Sequence, residues 1–200
     1  MANAIKTNVL WLSGVLHWLW IDIQASTFVD DSLVRSIDNM AGYKELMLKA
    51  RVSIDNARAC NIPVIFIKEV YRPDLVDFGR KLESDEDIYC LEDKLKTDIA
   101  IKEMDFRPTD YLIRKRRYSA FFDTDFEILL HGLQVDILQM CSGLTDVCVH
   151  YTFADGHQSD NFCRIIENST SGSSLDAHQY FLRAMEYLQT GACRSLDEVL

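Results

Sequence analysis

Proline and glycine are scarce, three and eight in 200 residues, and there is no linker rich in Gly, Ser or Pro. That excludes a collagen-like repeat, a low-complexity tract and a flexible interdomain linker. No internal period recurs, which excludes solenoid and propeller arrays. Basic residues are in deficit: 21 Lys and Arg stand against 31 Asp and Glu, a net charge of −10. Such a field repels phosphate backbones unless cations cluster, and the basic run 114–117 has no second cluster to extend it. Nucleic acid is not an expected partner. The six cysteines (Cys60, Cys90, Cys141, Cys148, Cys163, Cys193) form no CxxC pair and no metal-type spacing. Several lie in apolar runs, as reduced intracellular thiols do, so a cytoplasmic location is expected. Long hydrophobic runs are missing too. The stretch 9–21 is about 13 residues, contains His17 and ends at Asp22 without a cleavage pattern, whereas crossing a bilayer takes roughly 20. No membrane partner is expected, and the run reads as a buried strand.

What is present is a core. With 48% hydrophobic and 26% charged residues, the chain suits one globular domain over 1–200. Short apolar runs with little alternation, the mark of parallel strands covered on both faces, occur at 15–23, 63–68, 111–114, 135–141 and 162–167. Between them lie helical stripes: Leu46, Ala50, Ile54 and Ala57; Phe126, Leu129, Leu130 and Leu133; Ala177, Phe181, Ala184, Met185 and Leu188. Strand alternating with helix predicts a doubly wound α/β sheet, with reactive groups at the carboxyl ends of strands. The segment 71–109, with Pro73, Pro108 and the acidic run 83–87, breaks the alternation. It reads either as cover over a site or as a mobile surface loop.

Three polar groups occur where apolar patterns stop. Asp22 ends the first run, Lys115 ends the third, and Cys148 opens the helix expected after the fourth. In a parallel sheet all three lie on one edge. An ammonium and a helix start both favour a thiolate, so the Cys148 thiol is expected to ionise more readily than its ordinary value of about 8.5. Asp22 is then positioned to take the thiol proton, return it to a leaving amine and later deprotonate water. Backbone N–H groups before Cys148 would meet the oxyanion. This is nucleophilic acyl transfer.

These residues carry a resemblance. Trp20-Ile21-Asp22-Ile23-Gln24 resembles the first-strand "IDxQ" signature of the isochorismatase-like cysteine hydrolases. Lys115-Arg116-Arg117-Tyr118-Ser119-Ala120-Phe121, followed by Thr124-Asp125, is similar to their "KxxYSAF…TD" segment. Leu144-Thr145-Asp146-Val147-Cys148-Val149 is similar to their "xTxxCV" nucleophile turn, and the three motifs fall in family order. The resemblance implies a six-stranded, mostly parallel sheet flanked by helices. It implies an Asp-Lys-Cys triad that hydrolyses amide or ureide C–N bonds through a thioester, with Asp22 as base, Lys115 as thiol-activating lysine and Cys148 as nucleophile. It further implies a non-proline cis peptide before Leu144, with the N–H groups of Leu144 and Cys148 as oxyanion donors. The cysteine favours amide-type substrates over the vinyl ether of isochorismate. Metal-binding nicotinamidases carry an Asp-x-His element after the second strand; here Lys68-Glu69-Val70-Tyr71-Arg72-Pro73-Asp74 has no histidine. No catalytic zinc and no other cofactor is expected. That stretch is also similar to the "RExHRPD" loop of biuret and related ureide hydrolases.

By motif position Gln24, Phe28, Tyr71, Tyr118 and Phe121 are substrate-pocket candidates, with core packing the alternative for Tyr118 and Phe121. Phe28 follows Asp22 by six positions rather than the family's five, and Ser142 stands where the family has glycine, with Gly143 next. These departures keep open a catalytically weak relative that binds a small ligand or a partner chain. Asp146 and His150, four apart, are too few to hold a metal and read as structural. His17, His131, His157 and His178 are assigned no chemistry. The resemblance implies a homo-oligomer, dimer or tetramer, with the apolar helix 177–188 as contact area.

Overall fold

The computed structural model describes residues 16–28, 40–83 and 87–199. Two segments read above, 9–15 of the apolar run and 84–86 of the acidic run, lie outside these residues. The apolar runs become strands: β1 (Leu16–Ile21), β2 (Val64–Glu69), β3 (Tyr111–Lys115), β4 (Ile137–Gly143), β5 (Phe162–Ser171) and β6 (Cys193–Arg194). They form one six-stranded sheet in the order β3-β2-β1-β4-β5-β6, each neighbouring pair parallel. Among the described residues the longer helices flanking it are α1 (Tyr43–Ala59), α2 (Phe126–Leu133), α3 (His150–Gln158) and α4 (Leu175–Leu188).

The missing alternation in the strand sequences has its reason in the two layers of core. Trp18, Trp20, Phe66, Cys141 and Ile166 face Met47, Ala50, Ile54 and Ala57 of α1. Their strand neighbours Leu19, Ile21, Ile65, Ile67, Met140 and Ile165 face Phe126 and Leu130 of α2, Phe153 of α3 and Met185 of α4. The one polar atom on Trp20 is satisfied by the Ala50 carbonyl of α1 at 3.3 Å. The doubly wound expectation therefore holds. No helix among the described residues is long and apolar enough to cross a membrane.

Most strand boundaries shift by a residue or two from the apolar runs, and three features differ more. β5 runs four residues past 167, because the hydroxyls of Ser169 and Thr170 bond the Ile166 carbonyl and let a polar tail stay buried. β6 is only two residues long and carries no apolar run to announce it. On α4, Met185 is buried but Leu188 at the end of the expected stripe is 45% exposed, while His178 is buried in its place. Strand order reverses between β1 and β4, so the crevice of the fold opens beside the ends of those two strands. The 71–109 segment covers that edge. Tyr71 and Phe78 are buried with rings 4.6 Å apart, Ala100 N–H bonds the Ile23 carbonyl, and Tyr71 and Gln24 form bridges to Leu91 and Ile99.

Candidate active site

Three adjacent strands, β1, β2 and the edge strand β3, each deliver one charged group at their carboxyl ends. β1 ends in Asp22, which turns out of the strand at φ 56° with its N–H on the Ile67 carbonyl. β2 ends in Glu69 and β3 in Lys115, and these two are register partners. The Lys115 ammonium is fully buried and lies 2.9 Å from Asp22 Oδ2, 2.8 Å from Glu69 Oε2 and 3.3 Å from Cys148 Sγ. The Cys148 sulfur also stands 3.5 Å from Glu69 Oε2, and Asp22 Oδ1 accepts the Glu69 N–H at 3.0 Å.

The sulfur arrives from the other side of the crevice. The Gly143–Leu144 peptide is cis. Residues Thr145–Val149 then form a π-type turn, closed by Val149 N–H on the Leu144 carbonyl at 3.1 Å, and α3 follows. Cys148 therefore sits inside this turn, ahead of the regular helix it was expected to open. Single π turns of this kind recur at functional sites. The turn is anchored twice: Thr145 Oγ1 pairs with His178 Nδ1 at 2.7 Å, and Asp146 accepts from Ser173 N–H and Oγ at 2.9 and 2.6 Å. Just before it, Ser142 holds φ 108° where β4 slips against β5. That region favours glycine, which explains why a glycine is the easier residue there. Gly143 sits in a tight place, since a Cβ would stand 3.1 Å from the Tyr43 ring and the ring would have to give by a few tenths of an ångström.

Burial dominates the electrostatics. It raises the Asp22 carboxyl above its ordinary range; Lys115 opposes the rise and Glu69 adds to it. Glu69 is pushed up by burial too, but Lys115 and Lys81 outweigh that and hold it at about 2. Burial works against the Lys115 ammonium, yet Asp22, Cys148 and Glu69 keep it protonated well beyond the usual lysine range. The Cys148 thiol is driven well above its ordinary value, first by burial and then by Asp22, with Lys115 pulling the other way. This corrects the expectation of a spontaneously ionised thiol. The carboxylates gathered around Lys115 cancel the help its ammonium would give, so the resting sulfur keeps its proton and faces an acceptor whose basicity burial has increased.

Asp22, Lys115 and Cys148 are brought together. Leu144 precedes the turn, and its carbonyl is taken up by the N–H groups of Val147 and Val149. Gln24 is buried beside them, but its amide is spent on the protein: Oε1 accepts Glu69 N–H at 3.1 Å, and Nε2 donates to the Glu69 and Thr97 carbonyls at 3.0 and 2.5 Å. It stitches β2 to the covering segment. Tyr71 is buried and donates its hydroxyl to Glu69 Oε1 at 2.7 Å. Tyr118 is half-buried against the Tyr151 ring at 5.5 Å. Phe121 packs on Phe126 at 4.8 Å within the core, and Phe28 packs against the α1 side of the sheet. In the basic run, Arg116 bonds the Val70 carbonyl, Glu92 and Asp77, and Arg117 the Asp77 carbonyl. Both pin the covering segment rather than forming a purely solvated edge. His150 packs on Phe181 at 4.6 Å.

Glu69, Lys81, Tyr43 and His178 were not singled out by sequence. Glu69 was detectable by the rule that found Asp22 and Lys115, a charge where an apolar strand stops. Among the described residues, the donors that could jointly hold a metal are Asp22, Glu69 and Cys148, within 4.8 Å of one another. Lys115 Nζ touches all three, so the protein's own ammonium occupies the cation position and the set does not fit a metal ion.

Residues 18–198 match the Isochorismatase domain family. The chain belongs to the isochorismatase family. Over 150 residues, 66% of this chain and 60% of the other, it is 27% identical to a ureidoacrylate amidohydrolase RutB of Rhizobium rhizogenes; the match thus spans less than two thirds of that relative. The uncharacterized isochorismatase family protein YwoC of Bacillus subtilis is 24% identical over 188 residues, covering 93% of this chain and 98% of YwoC. An isochorismatase-like hydrolase from Alkaliphilus metalliredigens shares the fold with TM-score 0.79 and 19% identity, covering 92% and 96% of the two chains. A pyrazinamidase of Pyrococcus horikoshii solved in complex with zinc does so with TM-score 0.76 and 15% identity, covering 91% and 98%. In this isochorismatase-family chain the pyrazinamidase likeness extends to fold alone.

Proposed function

We propose that this isochorismatase-family protein is a hydrolase of C–N bonds in small linear amides or ureides, working through Cys148, Lys115 and Asp22. The observation that carries the reading is the Lys115 ammonium within 2.9 Å of the Asp22 carboxylate and 3.3 Å of the Cys148 sulfur. Asp22 takes the thiol proton as the sulfur attacks the substrate carbonyl, and Lys115 holds the sulfur's negative charge until the C–S bond forms. The oxyanion meets the N–H groups of Leu144 and Cys148. Collapse breaks the C–N bond, with the Asp22 proton leaving on the amine. Water, deprotonated by Asp22, then cleaves the thioester and restores the thiol. A neutral resting thiol suits this order of events, because sulfur and Asp22 exchange a proton without changing the charge of a buried site.

Relatives named as ureidoacrylate amidohydrolases support a ureide or amide substrate. Tyr118, half-buried with its ring 4.2 Å from the Lys81 ammonium, is the pocket residue we favour, while Tyr71 and Gln24 are engaged with Glu69 and Phe28 and Phe121 with packing. We propose as well that the chain acts as a single cytoplasmic domain, and that it assembles into a homo-oligomer, dimer or tetramer, through the exposed Leu175, Tyr180 and Tyr187 of α4. The test is ammonia release from biuret, ureido acids, nicotinamide and N-carbamoyl amino acids. Activity on one of them that Cys148→Ala abolishes is expected; activity that survives Cys148→Ala refutes the nucleophile.

A further inference from the structure

Glu69 has two cations, and only one belongs to the trio above. Oε2 faces Lys115 and the sulfur, at 2.8 and 3.5 Å. Oε1 faces the ammonium of Lys81, which the covering segment brings in on the turn Gly79–Glu83. The Lys81 side chain is 7% exposed, bonds the Tyr89 hydroxyl at 2.9 Å and lies over the rings of Tyr71, Tyr89 and Tyr118 at 4.8, 4.8 and 4.2 Å. Three aromatic faces and a carboxylate hold one charge point, and a lysine serving only the surface would not be sunk there.

The charges around the sulfur then sum to zero: Asp22 and Glu69 against Lys115 and Lys81. The other titratable groups near it, Tyr43 from α1 and Tyr71 and Cys90 from the covering segment, are held neutral by burial. Without Lys81 the cluster carries one unbalanced negative charge at a carboxylate 3.5 Å from Sγ. We propose that Lys81 is a positioning residue for catalysis, its ammonium cancelling the Glu69 charge so that the Lys115 ammonium remains free to stabilise the Cys148 thiolate. This rests on the reading of Cys148 as nucleophile.

The test is the rate at which iodoacetamide alkylates Cys148 at pH 9, read by mass spectrometry of the Cys148 peptide with exposed Cys60 as internal reference. A neighbouring charge moves a buried group by about one unit or more, which is about tenfold in thiolate fraction. Lys81→Met should slow alkylation about tenfold, Glu69→Gln should speed it about tenfold, and the double variant should return to within about threefold of the parent. Lys81→Arg should stay close to the parent. If Lys81→Met does not fold, the double variant must still react about tenfold more slowly than Glu69→Gln. A purely structural role predicts that both single changes act in one direction and that the double is worst; that result, or rates that ignore the charge changes, overturns the proposal. Alkylation needs no turnover, so loss of this sign pattern with Cys148→Ala inactive sinks only the role of Lys81. The intact pattern with Cys148→Ala still active sinks only the hydrolase reading.

Discussion

Replacing Lys115 with methionine should destabilise the fold strongly at neutral pH and far less in mild acid. The ammonium lies 2.9 Å from Asp22 and 2.8 Å from Glu69. At an effective dielectric of about 20 each contact is a gross attraction of about 6 kcal/mol. Most of it offsets the desolvation of the three charges, and removing one partner of a buried ion pair costs about 3 to 5 kcal/mol net. Methionine keeps the length of the side chain, so the loss is electrostatic. Without the ammonium the Asp22 carboxyl loses the cation that opposes its rise, while Glu69 keeps Lys81, and a raised carboxyl costs stability as pH climbs from the unfolded toward the folded value. The variant should therefore recover as pH is lowered to about 4. Glu69 in the parent acts in the opposite sense to the raised Asp22: held at about 2, it contributes stability that is present above about 4.5 and is lost as pH falls toward 2. Urea unfolding followed by the fluorescence of buried Trp18 and Trp20 at pH 7.5 and 4.5 measures both. A deficit below about 1 kcal/mol at pH 7.5, or one of the same size at both pH values, would refute the buried cluster.

Ser142→Gly should raise stability by about 1 kcal/mol, a melting shift of roughly 2 to 4 °C, because φ 108° is strained for serine and its hydroxyl meets only a weak acceptor, Met47 Sδ at 3.3 Å. A lower melting temperature would contradict the strain. Sedimentation at micromolar concentration should show an assembly of two or four chains; a single species of 23.0 kDa would contradict the oligomer.

Most of what the sequence disclosed was disclosed by apolar runs. β1 to β5 follow from continuous burial on two faces, and Asp22 and Lys115 follow because a charge cannot continue such a run. The same logic extends to Glu69, one residue past the end read for the second run. What stayed hidden depends on tertiary contact. Lys81 sits in a segment with no period, and its burial comes from three tyrosines and a carboxylate that only the path of the folded chain brings round it. His178 looked like one more unassigned histidine until α4 placed it on Thr145. The direction of the thiol's shift comes first from burial, which no linear pattern displays, and then from Asp22 with Glu69 added to it, against the pull of Lys115. Gln24 looked like a substrate ligand, but β2 and the covering segment use every polar atom it has.

The site divides unevenly across the strand-order reversal. Acid, acid and amine hang from three adjacent strands, while the sulfur is the lone contribution of the opposite half. Exchanging that sulfur for a smaller or inert group leaves the ionic scaffold whole, still paired and still dry. The nucleophile is thus a detachable part, and a lineage of this architecture is free to give it up and turn the same polarised hollow to chemistry that needs no covalent intermediate.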